Sequence, residues 1–357
     1  MIKIVTVIGA RPQFIKAAPV SKAINDTDGL AEYLVHTGQH FDENMSQVFF
    51  HQMGIPKPDK HLNIHSMSHG AMTGRMMEGI EKILLKEQPD WVMVYGDTNS
   101  TLAGALAAVK MHIPVAHVEA GLRSFNMEMP EEINRILTDR ISRLLFCPTQ
   151  IAEENLRKEG FEDFPCHIMT TGDVMYDAVL FFREKAIAPK GIRIPEDFVL
   201  ATVHRQENTD NPDNLHSIID ALNEISSRVP VVFPVHPRTA RILGENRGML
   251  SENVLTTPPL GYLEIIYMLD HCRMVLTDSG GLQKEAYMFH KPCITLREET
   301  EWTELVNLGC NILAGSDISR IREAFTYYMG HRANFKDGLY GKGNASTLIA
   351  EAFRDIR

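Results

Sequence analysis

The chain has 357 residues, of which 44% are hydrophobic, and its formal net charge at pH 7 is -10. This length and apolar content exceed what one small domain needs and predict two domains, each with its own core. The negative charge argues against nucleic acid or an acidic lipid surface as a partner, because binding a polyanion requires concentrated Lys and Arg. Any phosphate group must therefore be bound by local donors.

The termini and the cysteines predict a soluble, cytoplasmic protein with no membrane partner. The apolar run at residues 2–8 is too short for a signal peptide, and too few charges precede it. No apolar stretch in the sequence reaches the ~20 residues that a spanning helix needs. The five cysteines form no C-x-x-C pair, which indicates reduced, mostly buried thiols rather than disulfides or a zinc site.

Short β-branched runs alternate with longer amphipathic segments along the chain, which predicts α/β domains with parallel sheets. A polar stretch with Pro and Gly at residues 186–197 interrupts the alternation, and we expect the interdomain linker there. In doubly wound sheets of this kind, ligands bind in the loops at the carboxyl ends of the strands. We therefore expect the chemistry in strand-to-helix loops, in a cleft between the domains.

The loop at residues 9–16, Gly-Ala-Arg-Pro-Gln-Phe-Ile-Lys, follows the first predicted strand and opens a helix. Free backbone N–H groups at a helix start favour an anion, and Arg11 and Lys16 add positive charge. The loop matches neither G-x-G-x-x-G nor the P-loop pattern. By itself the sequence fits a solvated surface loop as well as an anion site.

A second candidate anion site is the stretch at residues 277–285, again at the end of a strand and the start of a helix. Ser279, Gly280 and Gly281 would let the backbone approach a diphosphate closely. Glu285 lies further along the helix, where a carboxylate can accept both hydroxyls of a ribose. An ordinary N-capped helix explains the same residues.

Acidic residues end two neighbouring strands and begin a helix in the first half of the chain. Asp97 follows one strand, Glu119 follows the next, and Glu131 and Arg135 lie at a helix start. Each residue alone is accounted for as a cap or a surface charge. Together, like charges in one site raise the pKa of at least one carboxylate, which then serves as an acid or base near neutral pH.

Two histidines end buried strands in the second half of the chain: His204, which is followed by Arg205, and His236. A histidine at a strand end is usually a hydrogen-bonded core residue, but two beside arginines can bind phosphate by charge-assisted hydrogen bonds. The patterns H-E-x-x-H and G-x-S-x-G do not occur, so we predict neither a catalytic metal nor a serine nucleophile.

Taken together, the motifs resemble the non-hydrolysing UDP-N-acetylglucosamine 2-epimerases, in order and over nearly the whole chain. The matching segments are residues 9–12, 37–40, 96–98, 117–123, 130–135, 204–205 and 278–281. The resemblance implies a GT-B fold of two Rossmann-like, doubly wound domains facing across a cleft. It implies acid/base carboxylates in residues 1–188, UDP binding in residues 189–342, and a terminal helix, residues 343–357, that returns to the first domain. It also implies a homodimer, a UDP-amino sugar as substrate and no cofactor.

The resemblance further implies a mechanism. UDP leaves by anti-elimination as the proton on sugar carbon 2 is removed, and it re-adds to the 2-acetamidoglucal intermediate after reprotonation on the other face. Asp97, Glu119 and Glu131 match the acid/base carboxylates, with Arg135 as their partner, and His204 matches a diphosphate contact. The remaining matches are phosphate, diphosphate and ribose contacts: Arg11, Lys16, Ser279, Gly280, Glu285 and, more loosely, His236.

The sequence departs from the family pattern in two places. Typical members carry Thr-Glu-Arg-Pro-Glu where this chain has Trp302 in Thr-Glu-Trp-Thr-Glu. In lacking that cation, the chain resembles the branch of the family that acts on modified sugars, such as UDP-2,3-diacetamido-2,3-dideoxyglucuronate or a 6-deoxy UDP-sugar. Gln39 and His40 match a regulatory motif, but Asp42 stands where a further Gln is expected, which argues against activation by a second substrate molecule.

Two other functions compete with an epimerase. A GT-B glycosyltransferase would share the fold and the diphosphate-binding half but would need an acceptor site. A catalytically inactive nucleotide-sugar binder would need no carboxylates. The acidic cluster of the first half favours the epimerase over both.

Overall fold

The structure is a computed structural model, and it describes residues 1–39, 54, 57–245 and 249–355. The chain divides into two compact units, Met1–Phe181 with Gly338–Arg357, and Phe182–Asp337. The predicted linker at residues 186–197 lies at the start of the second unit. Each unit contains a parallel sheet, which confirms the prediction of two α/β domains.

The described part of the first unit contains a parallel sheet of seven strands in the order β3-β2-β1-β4-β5-β6-β7. The strands are β1 (Ile2–Ile8), β2 (Leu30–His36), β3 (Lys60–His61), β4 (Trp91–Tyr95), β5 (Val115–Val118), β6 (Leu144–Cys147) and β7 (His167–Thr170). The helices are α1 (Arg11–Asn25), α2 (His69–Glu87), α3 (Asn99–Lys110), α4 (Pro130–Ile141), α5 (Gln150–Lys158) and α6 (Val174–Arg183), with a short 3₁₀ helix at Phe161–Asp163.

The central strands of this sheet are apolar on both faces, as expected for parallel strands that helices cover on both sides of the sheet. All five residues of β4 and all four of β5 are buried. The strand order reverses between β1 and β4, so the loops that follow these two strands diverge at a topological switch point. This arrangement places the loops after β1, β4 and β5 at one edge of the sheet.

The described part of the second unit repeats the design with six parallel strands in the order β10-β9-β8-β11-β12-β13. The strands are β8 (Val199–Thr202), β9 (Val231–Pro234), β10 (Val254–Thr257), β11 (Met274–Thr277), β12 (Cys293–Thr295) and β13 (Asn311–Leu313). The helices are α7 (Gln206–Thr209), α8 (Pro212–Ser226), α9 (Pro237–Glu245), α10 (Tyr262–His271), α11 (Gly280–Met288), α12 (Thr303–Asn307) and α13 (Ile318–Gly330). Its switch point lies between β8 and β11.

The last helix, α14 (Ala345–Asp355), packs within the first unit. The Phe353 ring contacts the ring of Trp91 edge-on, with 5.7 Å between the centroids. The Asp177 carboxylate on α6 accepts the backbone N–H groups of Ala345 (3.1 Å) and Ser346 (2.7 Å). A carboxylate at these positions satisfies N–H groups that the first helical turn leaves without a partner, so α6 fixes where α14 begins.

All five cysteines lie in the described residues and are free thiols, and only Cys166 is partly exposed. In the described part of the chain, no helix has both the length and the apolar character needed to cross a bilayer.

Candidate active site

The loop between β1 and α1 is closed by a side chain that the sequence analysis did not single out. Gln13, which is buried, accepts the backbone N–H groups of Gly9 (2.8 Å) and Ala10 (2.9 Å) through its Oε1 atom. Its Nε2 atom donates to the carbonyl oxygen of Tyr95 at 2.8 Å, the last residue of β4. The N–H groups of Gly9 and Ala10 are therefore occupied, and an anion at this loop depends mainly on side chains.

The candidate cation Lys16 lies on α1 and forms an ion pair with Glu119, the residue that follows β5. Both side chains are largely buried, with exposed fractions of 14% and 7%. Glu119 has a φ of +74°, in the left-handed region that non-glycine residues rarely adopt. Residues held in such conformations cluster at functional sites, because the surrounding structure must stabilise the strain. The structure thus brings the first loop and the β5 loop together.

Asp97, in the loop after β4, pairs with Arg135 on α4. The Nη2 atom of Arg135 lies 2.5 Å from Oδ2 of Asp97. Burial raises the pKa of Asp97, the Arg135 charge opposes that rise, and the charge of Glu119 adds to it. Lys16 lowers the pKa of Asp97 and Glu131 raises it. Asp97 therefore experiences the charges of the other acid/base candidates and holds its proton more strongly than an ordinary aspartate.

Glu131 and Glu132 are neighbours in the sequence with different surroundings. Glu132 is buried, and its carboxylate accepts the backbone N–H groups of Ser124 (2.9 Å) and Phe125 (2.9 Å). Glu131 is exposed on the first turn of α4 and makes no hydrogen bond or ion pair with another described residue. Glu132 therefore shapes the loop after β5, whereas Glu131 is accessible to a ligand.

The regulatory candidate Gln39 contacts the start of α3. Its Oε1 atom accepts the backbone N–H of Ser100 (3.0 Å) and the Ser100 hydroxyl (2.7 Å). Its partners in the predicted motif, His40 and Asp42, lie outside the described residues. Gln39 thus connects the segment after β2 to the helix that directly follows Asp97 and Thr98.

In the second unit, Asp278 organises the loop that carries His204. Asp278 is completely buried, and it accepts the backbone N–H groups of His204 (3.0 Å) and Arg205 (2.9 Å). The Nδ1 atom of the His204 ring lies 3.0 Å from Oδ1 of Asp278. Burial would raise the pKa of Asp278, but the hydrogen bonds from His204 and Arg205 outweigh it and lower that pKa. The carboxylate thereby fixes the imidazole, whose ring centroid lies 6.0 Å from that of His236.

The predicted diphosphate residues collect at the start of α11. Ser279 caps the helix through a long hydrogen bond to the N–H of Leu282 (3.5 Å), which agrees with the ordinary capping interpretation. Around Gly281 there is open space for at least 4 Å from a hypothetical β-carbon. A β-carbon on Gly280 would lie 3.3 Å from Oε2 of Glu301, so this loop approaches charged side chains closely. Glu285 is buried on the same helix.

A buried arginine that the sequence analysis missed completes this cluster. Arg297 forms a two-pronged pair with Glu301, with N–O distances of 3.0 Å and 3.2 Å. The Nη2 atom of Arg205 is 4.0 Å from the same carboxylate. Arg297 follows β12, which neighbours β11, so the strand-end argument that selected Ser279 would also have selected Arg297.

Trp302, the residue that departs from the family pattern, directly precedes α12 and contacts the start of α11. Its indole Nε1–H donates to the carbonyl oxygen of Gly280 at 2.8 Å. The Nζ atom of the buried Lys284 lies 4.4 Å from the centroid of a Trp302 ring, which is a cation–π distance. The indole is therefore held at the predicted diphosphate loop.

A family model described as UDP-N-acetylglucosamine 2-epimerase matches residues 22–354. The chain belongs to this epimerase family. It is 57% identical over 350 residues to the UDP-2,3-diacetamido-2,3-dideoxy-D-glucuronate 2-epimerase of Pseudomonas aeruginosa, covering 98% of each chain. It is 34% identical to the UDP-N-acetylglucosamine 2-epimerase of Escherichia coli, covering 99% of each chain.

Solved structures of the family share the fold. The Methanocaldococcus jannaschii epimerase in complex with UDP-GlcNAc and UDP is 41% identical, with a TM-score of 0.85 and 99% of each chain covered. The Neisseria meningitidis epimerase bound to UDP-GlcNAc is 32% identical, with a TM-score of 0.87, covering 99% of this chain and 100% of that one. A lipopolysaccharide galactosyltransferase, 12% identical with a TM-score of 0.55, resembles the chain in fold alone. These findings confirm the predicted family and the GT-B type of fold, and an epimerase is an isomerase.

Proposed function

We propose that this epimerase inverts carbon 2 of a UDP-N-acetyl-amino sugar by eliminating and re-adding UDP. The observation that carries the proposal is the acid/base cluster of the first unit, in which the pKa of Asp97 responds to Glu119, Lys16, Arg135 and Glu131. A cluster of this kind is needed to move a proton from carbon, and it has no use in a protein that only binds nucleotides.

The chemistry assigns different work to the two units. A carboxylate of the first unit takes the proton from carbon 2, the bond from carbon 1 to the UDP oxygen breaks, and a double bond forms between carbons 1 and 2. Re-addition of UDP follows delivery of a proton to the other face. Positively charged and N–H groups around His204, Arg205 and α11 stabilise UDP as its charge develops. We propose that Asp97, Glu119 and Glu131 share the proton transfers, with Arg11 and Lys16 on the phosphate side.

Among UDP-amino sugars, we propose UDP-2,3-diacetamido-2,3-dideoxyglucuronate as the preferred substrate, ahead of UDP-N-acetylglucosamine. The relative that is 57% identical carries that substrate in its name, whereas the relatives named for UDP-N-acetylglucosamine, one of them as a homolog, are 32–49% identical. The held indole of Trp302 supports the same choice, because it offers an apolar surface to an additional acetamido methyl group.

A panel assay tests the proposed reaction and its substrate. The purified protein is incubated in deuterated water with each UDP-sugar, and NMR follows the proton on carbon 2 together with the products. We expect deuterium at carbon 2 and both epimers, with the highest kcat/KM for the diacetamido uronate. A transferase would leave that proton in place, and a hydrolysing epimerase would release the free sugar. Either result would contradict the proposal.

We further propose that the protein works in the cytoplasm, in the synthesis of precursors for surface polysaccharide. Five free thiols support a reducing compartment, because cysteines of secreted proteins are usually paired. Such a pathway uses UDP-activated sugars, and an enzyme that converts one UDP-amino sugar into its epimer can supply one of them.

A homodimer is the assembly we propose, with α4 at its interface. Ile133 and Leu137 lie four residues apart on one face of α4 and are 40% and 45% exposed. Phe125 and Met127, in the loop before α4, are 77% and 60% exposed. Large apolar side chains grouped in this way are typical of a surface that another protein covers.

The double variant Ile133→Glu with Leu137→Glu is expected to convert the dimer to a monomer, because burying two carboxylates in an apolar interface carries a large desolvation cost. Light scattering coupled to size exclusion gives the mass. The control is Tyr327→Glu, which changes an equally exposed aromatic residue on α13 of the second unit (47%) and should leave the mass unchanged. A double variant that stays dimeric would place the interface elsewhere.

A further inference from the structure

The first unit contains a histidine that the proton-transfer scheme does not use. His117 lies on β5 and is completely buried, as is Asp139 on α4. The Nδ1 atom of His117 is 2.7 Å from Oδ1 of Asp139, and its Nε2 atom is 2.7 Å from the carbonyl oxygen of Gly96. The ring therefore lies between two oxygen atoms and connects β5 to the loop after β4.

Asp139 extends this connection to the loop that carries Glu119. Its Oδ2 atom accepts the backbone N–H of Gly121 (3.2 Å) and a guanidinium N–H of Arg123 (2.7 Å). Arg123 in turn forms a two-pronged pair with Glu159, at 2.7 Å and 2.8 Å. Hydrogen bonds to charged groups in a buried network restrict geometry strongly, because each unpaired member would be costly.

The network ends at two loops, one that contains Gly96 and one that contains Glu119. Gly96 directly precedes Asp97 and has a φ of +61°, and Glu119 has a φ of +74°. A β-carbon on Gly96 would lie 3.2 Å from Oε2 of Glu119, so the two loops are in close approach. A small movement of the Gly96 peptide would therefore change the position of Asp97 relative to Glu119.

We propose that His117 is a positioning residue for the epimerisation: its contact with Gly96 sets Asp97 relative to Glu119, and its contact with Asp139 orients the ring for that role. The inference rests on the proposed function, because it assigns His117 to the placement of groups that move the proton. His117 itself is buried behind the loops and does not contact the substrate. Misplacing a reacting group by ~1 Å can lower the rate by ~100-fold.

A pair of amide variants separates the two ends of the ring. The amide nitrogen of His117→Gln can reach the position of Nε2 and donate to Gly96, whereas that of His117→Asn reaches the position of Nδ1 and donates to Asp139. We expect His117→Asn to lower kcat by ~10- to 100-fold, with KM and UDP affinity nearly unchanged. His117→Gln should recover most of the lost kcat.

Thermal unfolding of both variants serves as the control. If His117 had only a structural role, the variant with the larger loss in melting temperature would also have the larger loss in kcat. If the wild type is active and the two variants are equally impaired, or neither is impaired, the inference about His117 is overturned. The proposed function then still stands. Absence of carbon 2 exchange in the wild type, with every UDP-sugar of the panel, overturns the proposed function and the inference with it.

Discussion

Asp97→Asn is expected to lower turnover by ~100-fold or more, which is the usual contribution of a general acid or base. The amide keeps the size of the side chain but removes the ionisable group that Arg135 holds at 2.5 Å. Glu119→Gln should have an effect of the same size. Affinity for UDP should change little in either variant, because most of the proposed diphosphate contacts, those around His204, Arg205 and α11, lie in the second unit. Steady-state kinetics and calorimetry with UDP measure the two quantities.

Stability provides the first check that the lost turnover is chemical. The pKa of Asp97 is raised in the folded protein, chiefly by burial, so the folded state binds its proton more tightly than the unfolded state. Folding stability therefore falls as the pH rises from the unfolded pKa through the folded pKa, and at neutral pH the ionised group is destabilising. Asp97→Asn should melt at or above the wild-type temperature at pH 7. The control Glu154→Gln, an exposed acid on α5, should change neither turnover nor melting.

The pH profile of Glu119→Gln identifies the role of Asp97. The charge of Glu119 raises the pKa of Asp97, so its removal should lower that pKa. If Asp97 is the base, the ascending limb of the residual kcat/KM moves to lower pH, and if it is the acid, the descending limb does so. A profile in which neither limb moves, or turnover that survives both substitutions, would remove Asp97 and Glu119 from the mechanism.

The sequence predicted the positions of the acid/base groups because parallel strands end at one edge of a sheet. That rule alone places Asp97 near Glu119 and His204 near Ser279, whatever the details of packing. It applies equally to Arg297 after β12, which was overlooked because no motif contains it. Strand alternation and the motif order were likewise sufficient for the fold.

Hydrogen bonds between side chains and loop backbones were not predictable in the same way. The sequence analysis treated the N–H groups of Gly9 and Ala10 as free for an anion, and the structure shows them bound to Gln13. The residue pattern alone did not distinguish Glu131 from Glu132, because both lie on the first turn of the same helix; only the family resemblance selected Glu131. Which acid turns inward depends on side-chain rotamers and on the path of the loop after β5, and neither follows from spacing.

Asp278→Asn is expected to weaken UDP binding by at least ~10-fold, which corresponds to the loss of a hydrogen bond to a charged group. The Asp278 carboxylate accepts hydrogen bonds from the backbone N–H groups of His204 and Arg205 and from the side-chain amide of Asn208 at 3.1 Å. It also contacts the His204 ring. An asparagine directs an NH₂ group at some of these donors and carries no charge. His204 then loses its fixed orientation, and the loop that carries Arg205 loosens.

Stability should fall together with affinity, in contrast to Asp97→Asn. Removing the charge of a buried carboxylate that several N–H groups share costs about 1.5–3 kcal/mol for a hydrogen bond to a charged group. Because the folded pKa of Asp278 is lowered, its stabilisation is present above the unfolded pKa and is lost as the pH falls through the folded pKa. The difference in melting temperature between wild type and variant should therefore be largest near neutral pH and shrink in acid.

Calorimetry with UDP and melting curves at several pH values measure both effects. Glu224→Gln is the matched control, because Glu224 is an exposed acid of the same unit whose partner, Arg322, is also exposed, and exposed pairs contribute little. Asp278→Asn with full UDP affinity would show that His204 does not bind the diphosphate. Conversely, weakened UDP binding in Asp278→Asn but not in Asp97→Asn, together with lost turnover in Asp97→Asn, would support nucleotide binding by the second unit and proton transfer by the first.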